Sequence, residues 1–341
     1  MYKNSFLKEG WKRCRWLLLA HLIFSSCLYG QPHIIFDTDM GSDCDDAGAL
    51  AVLHKLADKG EAKILGVMFS SGKNRYGVGV CDAINTYYGR SNLPLGQYQG
   101  NDVGDPNDTY SKDIATHTEI YHHNVVDSAQ ELVSAYKAIL KKQPNASVTL
   151  VSVGHPNGLF HLIQDREGRD LVKRKVKKWI AMAYADTMSK RDWNFGKNGA
   201  ETCIVALLEQ WPTPIFISGY GKAVVTGHRQ LPHVPDNNPV KQAYRLWKNC
   251  LVTGRPSPDQ LAVLYAVRPD YFEVVSDGSI TQDSAFQTRW NKTKPDKKQH
   301  RLVPQLPNIV LEKIIEELMT EPPSFNNNLN SLDSTVTVPH N

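Results

Sequence analysis

The chain has 341 residues, of which 41% are apolar and 22% charged. That is an ordinary globular composition on a chain long enough to bury a sizeable core, and it excludes wholesale disorder, a collagen-like repeat and a long coiled coil. No apolar run approaches the roughly 20 residues needed to span a bilayer, which excludes a multi-span membrane protein. The net charge is +4, but five of the 39 Lys and Arg and only one of the 35 acids fall within the first 30 residues, leaving 34 of each beyond them. A balanced chain of this kind projects no global field toward nucleic acid or an anionic membrane.

The first 30 residues read as a secretory signal. A basic region ends at Arg15, and Trp16 to Phe24 is apolar for the length of a signal but too short for a span. Two ends are open: cleavage after Gly30, or lipid attachment at Cys27, since Phe24-Ser25-Ser26-Cys27 resembles a bacterial lipobox with an atypical Phe. A buried N-terminal helix would leave the charge asymmetry unexplained. The expected location is therefore outside the cytoplasm, periplasmic or secreted. Four cysteines remain past the signal, Cys44, Cys81, Cys203 and Cys250, with long irregular spacings and no CxxC pair. Neither a zinc site nor a dense disulfide framework is indicated, and export permits a bridge that sequence cannot pair.

From His33 short apolar strands alternate with amphipathic helices. The pattern predicts a strand over His33–Phe36, a helix over Asp45–Lys59 stopped by Gly60, a strand over Lys63–Phe69, a helix over Val78–Tyr88 and a short strand over Leu93–Gly96. Gln99 to Asn124 is a long polar stretch, read as a functional lid or a mobile loop. A helix follows over Asp127–Lys141, then a β-branched strand over Val148–Val153 suited to burial on both faces. Further strands are expected at Trp179–Met182 and Ile215–Ile217, with a helix near Ala200–Gln210 between them. This βαβα order predicts an α/β protein built on an open, mainly parallel, doubly wound sheet with helices on both faces. The domain is expected over residues 31–321. The Asn/Ser-rich tail over 322–341 has a disordered composition, and the basic run Lys173 to Lys178 reads as a solvated surface.

The strongest feature is Asp37-Thr38-Asp39-Met40-Gly41-Ser42-Asp43-Cys44-Asp45-Asp46, five carboxylates in ten residues between a buried strand and a helix. Such a loop lies outside the carboxyl end of a parallel strand, where open α/β sheets bind ligands. Helix capping accounts for one or two of these acids, not five. Closely spaced hard oxygens suit Ca²⁺, with Mg²⁺ the alternative. An EF-hand is a poor fit, because a strand precedes the loop and Gly48 stands at its twelfth position. A phosphatase of the haloacid dehalogenase type also opens on strand–DxD, with Asp37 as nucleophile, but leaves the Asp45-Asp46 pair without a purpose.

The Asp37-Thr38-Asp39-Met40-Gly41 segment followed by Asp45-Asp46 resembles the signature of the inosine–uridine-type nucleoside hydrolases, DxDxGxDD, with two extra residues before the paired aspartates. Ile64 to Val67 leading to Asn74, Thr149 to Gly154, Asp192-Trp193-Asn194, Trp211 to Gly219 and Pro258 to Ala262 follow in the family's order. The resemblance runs from about Pro32 to Glu321. It implies cleavage of the N-glycosidic bond of a ribonucleoside or related ribosyl compound by a Ca²⁺-bound water. Asp39 would be metal ligand and general base; Asp46, the Val153 carbonyl and Asp259 would complete the protein ligands. Asp45 and Asn74 would hold the ribose hydroxyls, and Asp192 and Asn194 the far side of the sugar. The partner is then a small ribosyl molecule, with homo-oligomerisation left open.

There are departures from the family pattern. Asp192 stands where Glu is usual, Gly158 where Asn is common, and Pro258 where many members carry the His that protonates the leaving base. His117, His122 and His123 in the polar stretch are alternative acids, and Trp193 or Trp290 alternative stacking platforms. Asn74 also reads as a turn cap and Asp259 as a helix N-cap. A Ca²⁺-dependent ribose- or nucleoside-binding protein without catalysis is the reading of a different class.

Overall fold

The computed structural model describes residues 30–324. The segment expected to be an export signal, up to Tyr29 and with Cys27 in it, and the tail beyond Ser324 lie outside the described residues. Among those described, no helix is long and apolar enough to cross a membrane.

The fold opens with β1 (His33–Thr38) and α1 (Asp45–Asp58), then β2 (Lys63–Phe69), α2 (Gly77–Tyr87) and β3 (Leu95–Gln97). Two short helices follow, α3 (Ser111–Thr116) and α4 (Thr118–Tyr121), then β4 (Gln130–Glu131), α5 (Leu132–Lys141), β5 (Val148–Ser152), α6 (Asn157–Gln164), α7 (Arg166–Lys175) and β6 (Val176–Met182). Next come α8 (Trp193–Gly196), α9 (Ile204–Gln210), β7 (Ile215–Ser218), β8 (Val225–Thr226), α10 (Pro239–Leu246), α11 (Cys250–Thr253), β9 (Arg255–Pro256) and α12 (Pro258–Val267). The described part closes with β10 (Phe272–Val275), β11 (Ser279–Gln282), β12 (Thr288–Asn291), β13 (Gln299–Pro304) and α13 (Asn308–Thr320).

Nine strands form one sheet in the order β10-β13-β7-β6-β5-β1-β2-β3-β4. Every pair is parallel except β10 on β13. The chain builds outward from β1 through β2, β3 and β4, then returns to place β5 on the other side of β1. The strand order therefore reverses between β1 and β5, and the crevice outside their carboxyl ends is the ligand position of such sheets. The expected mainly parallel α/β sheet is thus the observed one.

Alternation along β1 decides what each acid meets. Ile34 and Phe36 join the core formed with α1, α2, α12 and α13, whereas Ile35 joins the opposite core with α5, α6 and α9. Helix α1 is buried from Asp45 to Leu56, between the sheet and the helices α12 and α13. At Gly48 the crossing is too close for a side chain: an added Cβ would lie 2.5 Å from Gln260 Nε2 and 2.6 Å from Tyr244 Oη.

Several boundaries differ from expectation. The helix expected from Asp127 starts at Leu132, because Asp127 pairs with Arg75 at 2.7 Å and the Glu131 carboxylate caps the Val133 and Ser134 amides. Within the polar stretch 99–124, Ser111–Thr116 and Thr118–Tyr121 fold as α3 and α4, with Tyr110, Ser111 and Ile114 buried. The run from Lys173 begins as the last turn of α7, where cations suit a helix C-terminus.

Two outcomes follow from the packing of α1. Gly48→Ala would ordinarily favour a helix, but here it must displace Gln260 or Tyr244; we expect a loss of about 1–3 kcal/mol by urea unfolding. His54, buried in the same helix, stacks on Tyr88 and holds Asn85 Oδ1 at 2.8 Å, with Arg90 beside its other nitrogen. Burial pushes its imidazole down to about 3, while the unfolded chain binds the proton near pH 6.5. The folded state therefore loses stability as pH falls below 6.5, by about 2 kcal/mol at pH 5 from this group. The drop in unfolding free energy between pH 7 and pH 5 should be smaller by that amount in His54→Gln; an unchanged drop would refute the assignment.

Candidate active site

The acidic loop sits in the crevice between the ends of β1 and β5. The two strands approach so closely that a Cβ on Gly154 would fall 2.2 Å from the Asp39 backbone nitrogen, and the Val153 amide donates to the Asp37 carbonyl at 2.8 Å. Five acids gather here from the two ends of the sequence, Asp39, Asp43, Asp45 and Asp46 from the first loop and Asp259 from the start of α12. Each of the other four raises the Asp259 carboxyl, on top of burial.

These acids have different support. Asp37 and Thr38 leave β1 on opposite faces. Asp37 accepts a short hydrogen bond from Tyr136 of α5, and Thr38 donates one to Asp46 at the first turn of α1. Burial pushes the Asp37 carboxyl up to about 8 even so. Asp43 and Asp45 share one cation: Arg255 Nη2 donates to Asp43 at 2.6 Å and Arg255 Nε to Asp45 at 2.8 Å. Asp39 receives Ser42 Oγ at 3.1 Å and faces His155 Nε2 at 3.3 Å. Burial still holds it above the ordinary carboxylate range, and raises Asp46 further with Asp39 and Asp45 as neighbours. Asp259 Oδ1 is buried and has no hydrogen-bond partner.

The tightest group of carboxylates is Asp43, Asp45 and Asp259, each offering an oxygen within 4.8 Å of the others. The sequence-based ligand set was Asp39, Asp46, Val153 and Asp259. Its three acids do occupy this floor, but Asp43 and Asp45 approach Asp259 as one cluster, and the Val153 carbonyl accepts Asn194 Nδ2 at 2.6 Å. Oxygen-only donors, mutual repulsion and the unpartnered Asp259 oxygen fit a hard divalent cation, Ca²⁺ or Mg²⁺.

The residues expected to hold sugar are placed unevenly. Asn74 lies against the loop, where a Cβ on Gly41 would be 3.0 Å from its Nδ2. Its amide is engaged, donating to Ser111 Oγ at 2.8 Å and accepting from the Tyr76 amide at 3.1 Å. Asp192 caps α8, with one oxygen taking the Asn194 and Phe195 amides and the other the Tyr184 amide. Its shortness relative to Glu suits that cap. Asn194 donates to the Val153 and Met182 carbonyls and keeps a buried Oδ1 unpartnered.

Four residues that sequence reasoning did not assign complete the site. Arg255 supplies its cationic side chain, His155 faces Asp39, and Tyr136 holds Asp37. Tyr110, from the expected lid, inserts its hydroxyl into the acidic loop, accepting from the Gly41 amide at 3.0 Å and donating to the Asp43 carbonyl at 2.6 Å. Nothing in the sequence near Arg255 marked it. Trp193, just after Asp192, lies beside Asp39 and is 38% exposed, so its indole edges the crevice. His117 and His123 spend a nitrogen on the Asp113 and Val125 carbonyls.

No protein-family model and no curated protein matches the sequence. Solved structures do match the fold. A plant nucleoside hydrolase aligns with a TM-score of 0.64 at 15% identity, over 85% of this chain and 99% of its own. The inosine–uridine preferring nucleoside hydrolase from Bacillus anthracis gives 0.62 at 14% identity, over 85% and 100%. The type III effector protein XopQ, solved with adenosine diphosphate ribose, gives 0.62 at 14%, over 86% and 95%. The fold of this chain, with its acidic crevice at the sheet's switch point, is that of the inosine–uridine-type nucleoside hydrolases.

Proposed function

We propose that the protein is a hydrolase of N-glycosidic bonds, acting on a ribonucleoside or related ribosyl compound with a divalent cation, Ca²⁺ by the character of its donors. The observation that carries this reading is the buried floor of Asp39, Asp45, Asp46 and Asp259, on a nucleoside-hydrolase fold, with too little cationic charge among its neighbours. Asp39, Asp46 and Asp259 would hold the cation, with Asp43 or Asp45 as a further ligand. Bound there, such a cation supplies Lewis-acid activation of water and a grip on vicinal hydroxyls.

The chain's own residues account for the rest. Asp39, raised by burial and oriented by Ser42 and His155, is the carboxylate placed to take a proton from water. Cleavage develops positive charge on the sugar, and a fixed set of buried carboxylates stabilises that charge without reorganising. Asn194 Oδ1 is an acceptor left free at the crevice wall, whereas Asn74 and Asp192 shape the walls through their internal bonds. Trp193 offers a face for the leaving group. Pro258 at the first turn of α12 supplies no proton, so the substrate's leaving group either departs readily or takes its proton from elsewhere in the crevice.

The complex of XopQ with adenosine diphosphate ribose supports including ribosyl compounds besides nucleosides among the substrates. The haloacid-dehalogenase reading loses ground, because Asp37 is sealed beneath Tyr136 and has no room as a nucleophile.

The test is ribose release from a nucleoside panel, adenosine diphosphate ribose and p-nitrophenyl riboside, with Ca²⁺ or with chelator. We expect turnover of at least the activated riboside, lost with chelator, and lowered about 10³-fold in Asp39→Ala. No turnover alongside retained Ca²⁺-dependent ribose binding would establish the binding-protein reading instead. Thermal melting tests the cation separately. Ca²⁺ should raise Tm of the wild type, whereas Asp259→Asn, with one repelling charge removed, should melt no lower than wild type in chelator and should not respond to Ca²⁺. Equal Ca²⁺ responses would remove Asp259 from the ligands.

A further inference from the structure

The contacts of Arg255 bring a second pair of groups together. Trp247 Nε1 donates to the Ser42 carbonyl at 3.2 Å, and Arg255 reaches Asp43 and Asp45. The segment 247–255 thus grips the acidic loop on either side of Cys44, and Cys250 lies inside that segment. These contacts bring Cys44 and Cys250 to one buried patch, and both side chains belong to the same core cluster. Both are buried, at 0% and 2% exposure, and both are free. Cys81 lies in α2, and the Cys203 thiol donates to the Ala200 carbonyl at 3.2 Å; neither is inside the two segments that these contacts join.

We propose that Cys44 and Cys250 are a disulfide site that cross-links the acidic loop to α11. The two thiols lose two protons and two electrons as the S–S bond forms. A small-molecule or protein disulfide accepts them by exchange and is reduced to two thiols. Because both sulfurs are shielded in the folded protein, the exchange belongs to folding, when the chain is still open. The export expected from the first 30 residues would deliver the chain to a compartment where such bonds persist. The bridge would join residues 206 positions apart, so the entropy it removes from the unfolded chain is large. Cys44 separates Asp43 from Asp45, so the bond would fix the loop backbone where these carboxylates leave it. None of this depends on the reaction proposed above.

The test begins with the full chain, reduced, unfolded and refolded in a buffer of oxidised and reduced glutathione. The refolded protein is then denatured, alkylated with iodoacetamide and mapped by peptide mass. The expected result is one cross-linked peptide joining Cys44 to Cys250, about 2 Da lighter than the two thiol peptides together, with Cys81 and Cys203 alkylated. Alkylation of Cys44 and Cys250, or a bridge between other partners, would overturn the proposal. A thermal measurement guards against chance oxidation. Reductant should lower Tm of the refolded wild type and of Cys203→Ser by about 10 °C, and should leave Cys250→Ser and Cys44→Ser unmoved. Should either serine variant fail to fold, the other serves, and a reductant shift that persists in it also refutes the pair.

Discussion

Buried negative charge is the constraint around which this fold is arranged. Asp39, Asp45, Asp46 and Asp259 are each at most 3% exposed, inside a crevice whose walls are core side chains. Carboxylates in such surroundings resist ionisation unless something opposes their charge. Part of the opposition is backbone. Asp45 and Asp46 occupy the first turn of α1, and Asp259 the first turn of α12, so three acids stand at the positive ends of two helices that pack on each other. The parallel sheet makes this possible, because each strand end delivers its acids to the side where the next helix begins.

The remaining opposition comes from far along the chain. Arg255 bridges Asp43 and Asp45 from more than 200 residues away, and Trp247 in the same segment packs its ring under the guanidinium, 4.6 Å from Arg255 Cζ. Tyr110 stitches the backbone of the acidic loop, and Tyr136 closes off Asp37. A lid that served only to exclude solvent would not need to enter the loop it covers. Here α3 and its leading Tyr110 are part of the loop's frame, and Ser111 of α3 also receives Asn74. The crevice floor is therefore held by tertiary contacts from three separate stretches, which is how a loop with five acids can adopt one conformation.

The sequence displayed the parts of this arrangement that are local. An apolar strand, an acidic turn and a helix start are written within fourteen consecutive residues, and Asp37 to Asp46 read directly as a ligand loop. Asp259 could be found because Ser257-Pro258-Asp259 opens a helix in the right order along the chain. What could not be read was pairing across distance. Arg255 sits among ordinary loop residues, and only the fold brings it to Asp45. Asp192 was expected to hold sugar and Asn74 to hold sugar or cap a turn; short polar side chains beside unpaired amides tend to bond the backbone first, and both do so here. The stretch 99–124 looked unstructured because its helices are only one turn or so long, too brief for an apolar period to emerge.

Sorting the acids by what holds them separates framework from working groups. Asp37 has Tyr136; Asp43 and Asp45 have Arg255; Asp192 has three backbone amides. Each of these has a hydrogen-bonding partner within the chain, and removing that partner would be felt as lost stability. Asp39, Asp46 and Asp259 are different. Hydroxyls from Ser42 and Thr38 and the ring of His155 orient them, but no lysine or arginine side chain forms an ion pair with them among the described residues. Folding has gathered three carboxylates, buried them and left their charge unbalanced, at the one crevice where the topology invites a ligand. A structural role would be better served by an amide at each of these positions, since it keeps the hydrogen bonds and avoids the repulsion. Acids at these positions accord with the proposed cation and with the positive charge that would develop on a ribosyl group as its bond to the leaving group breaks.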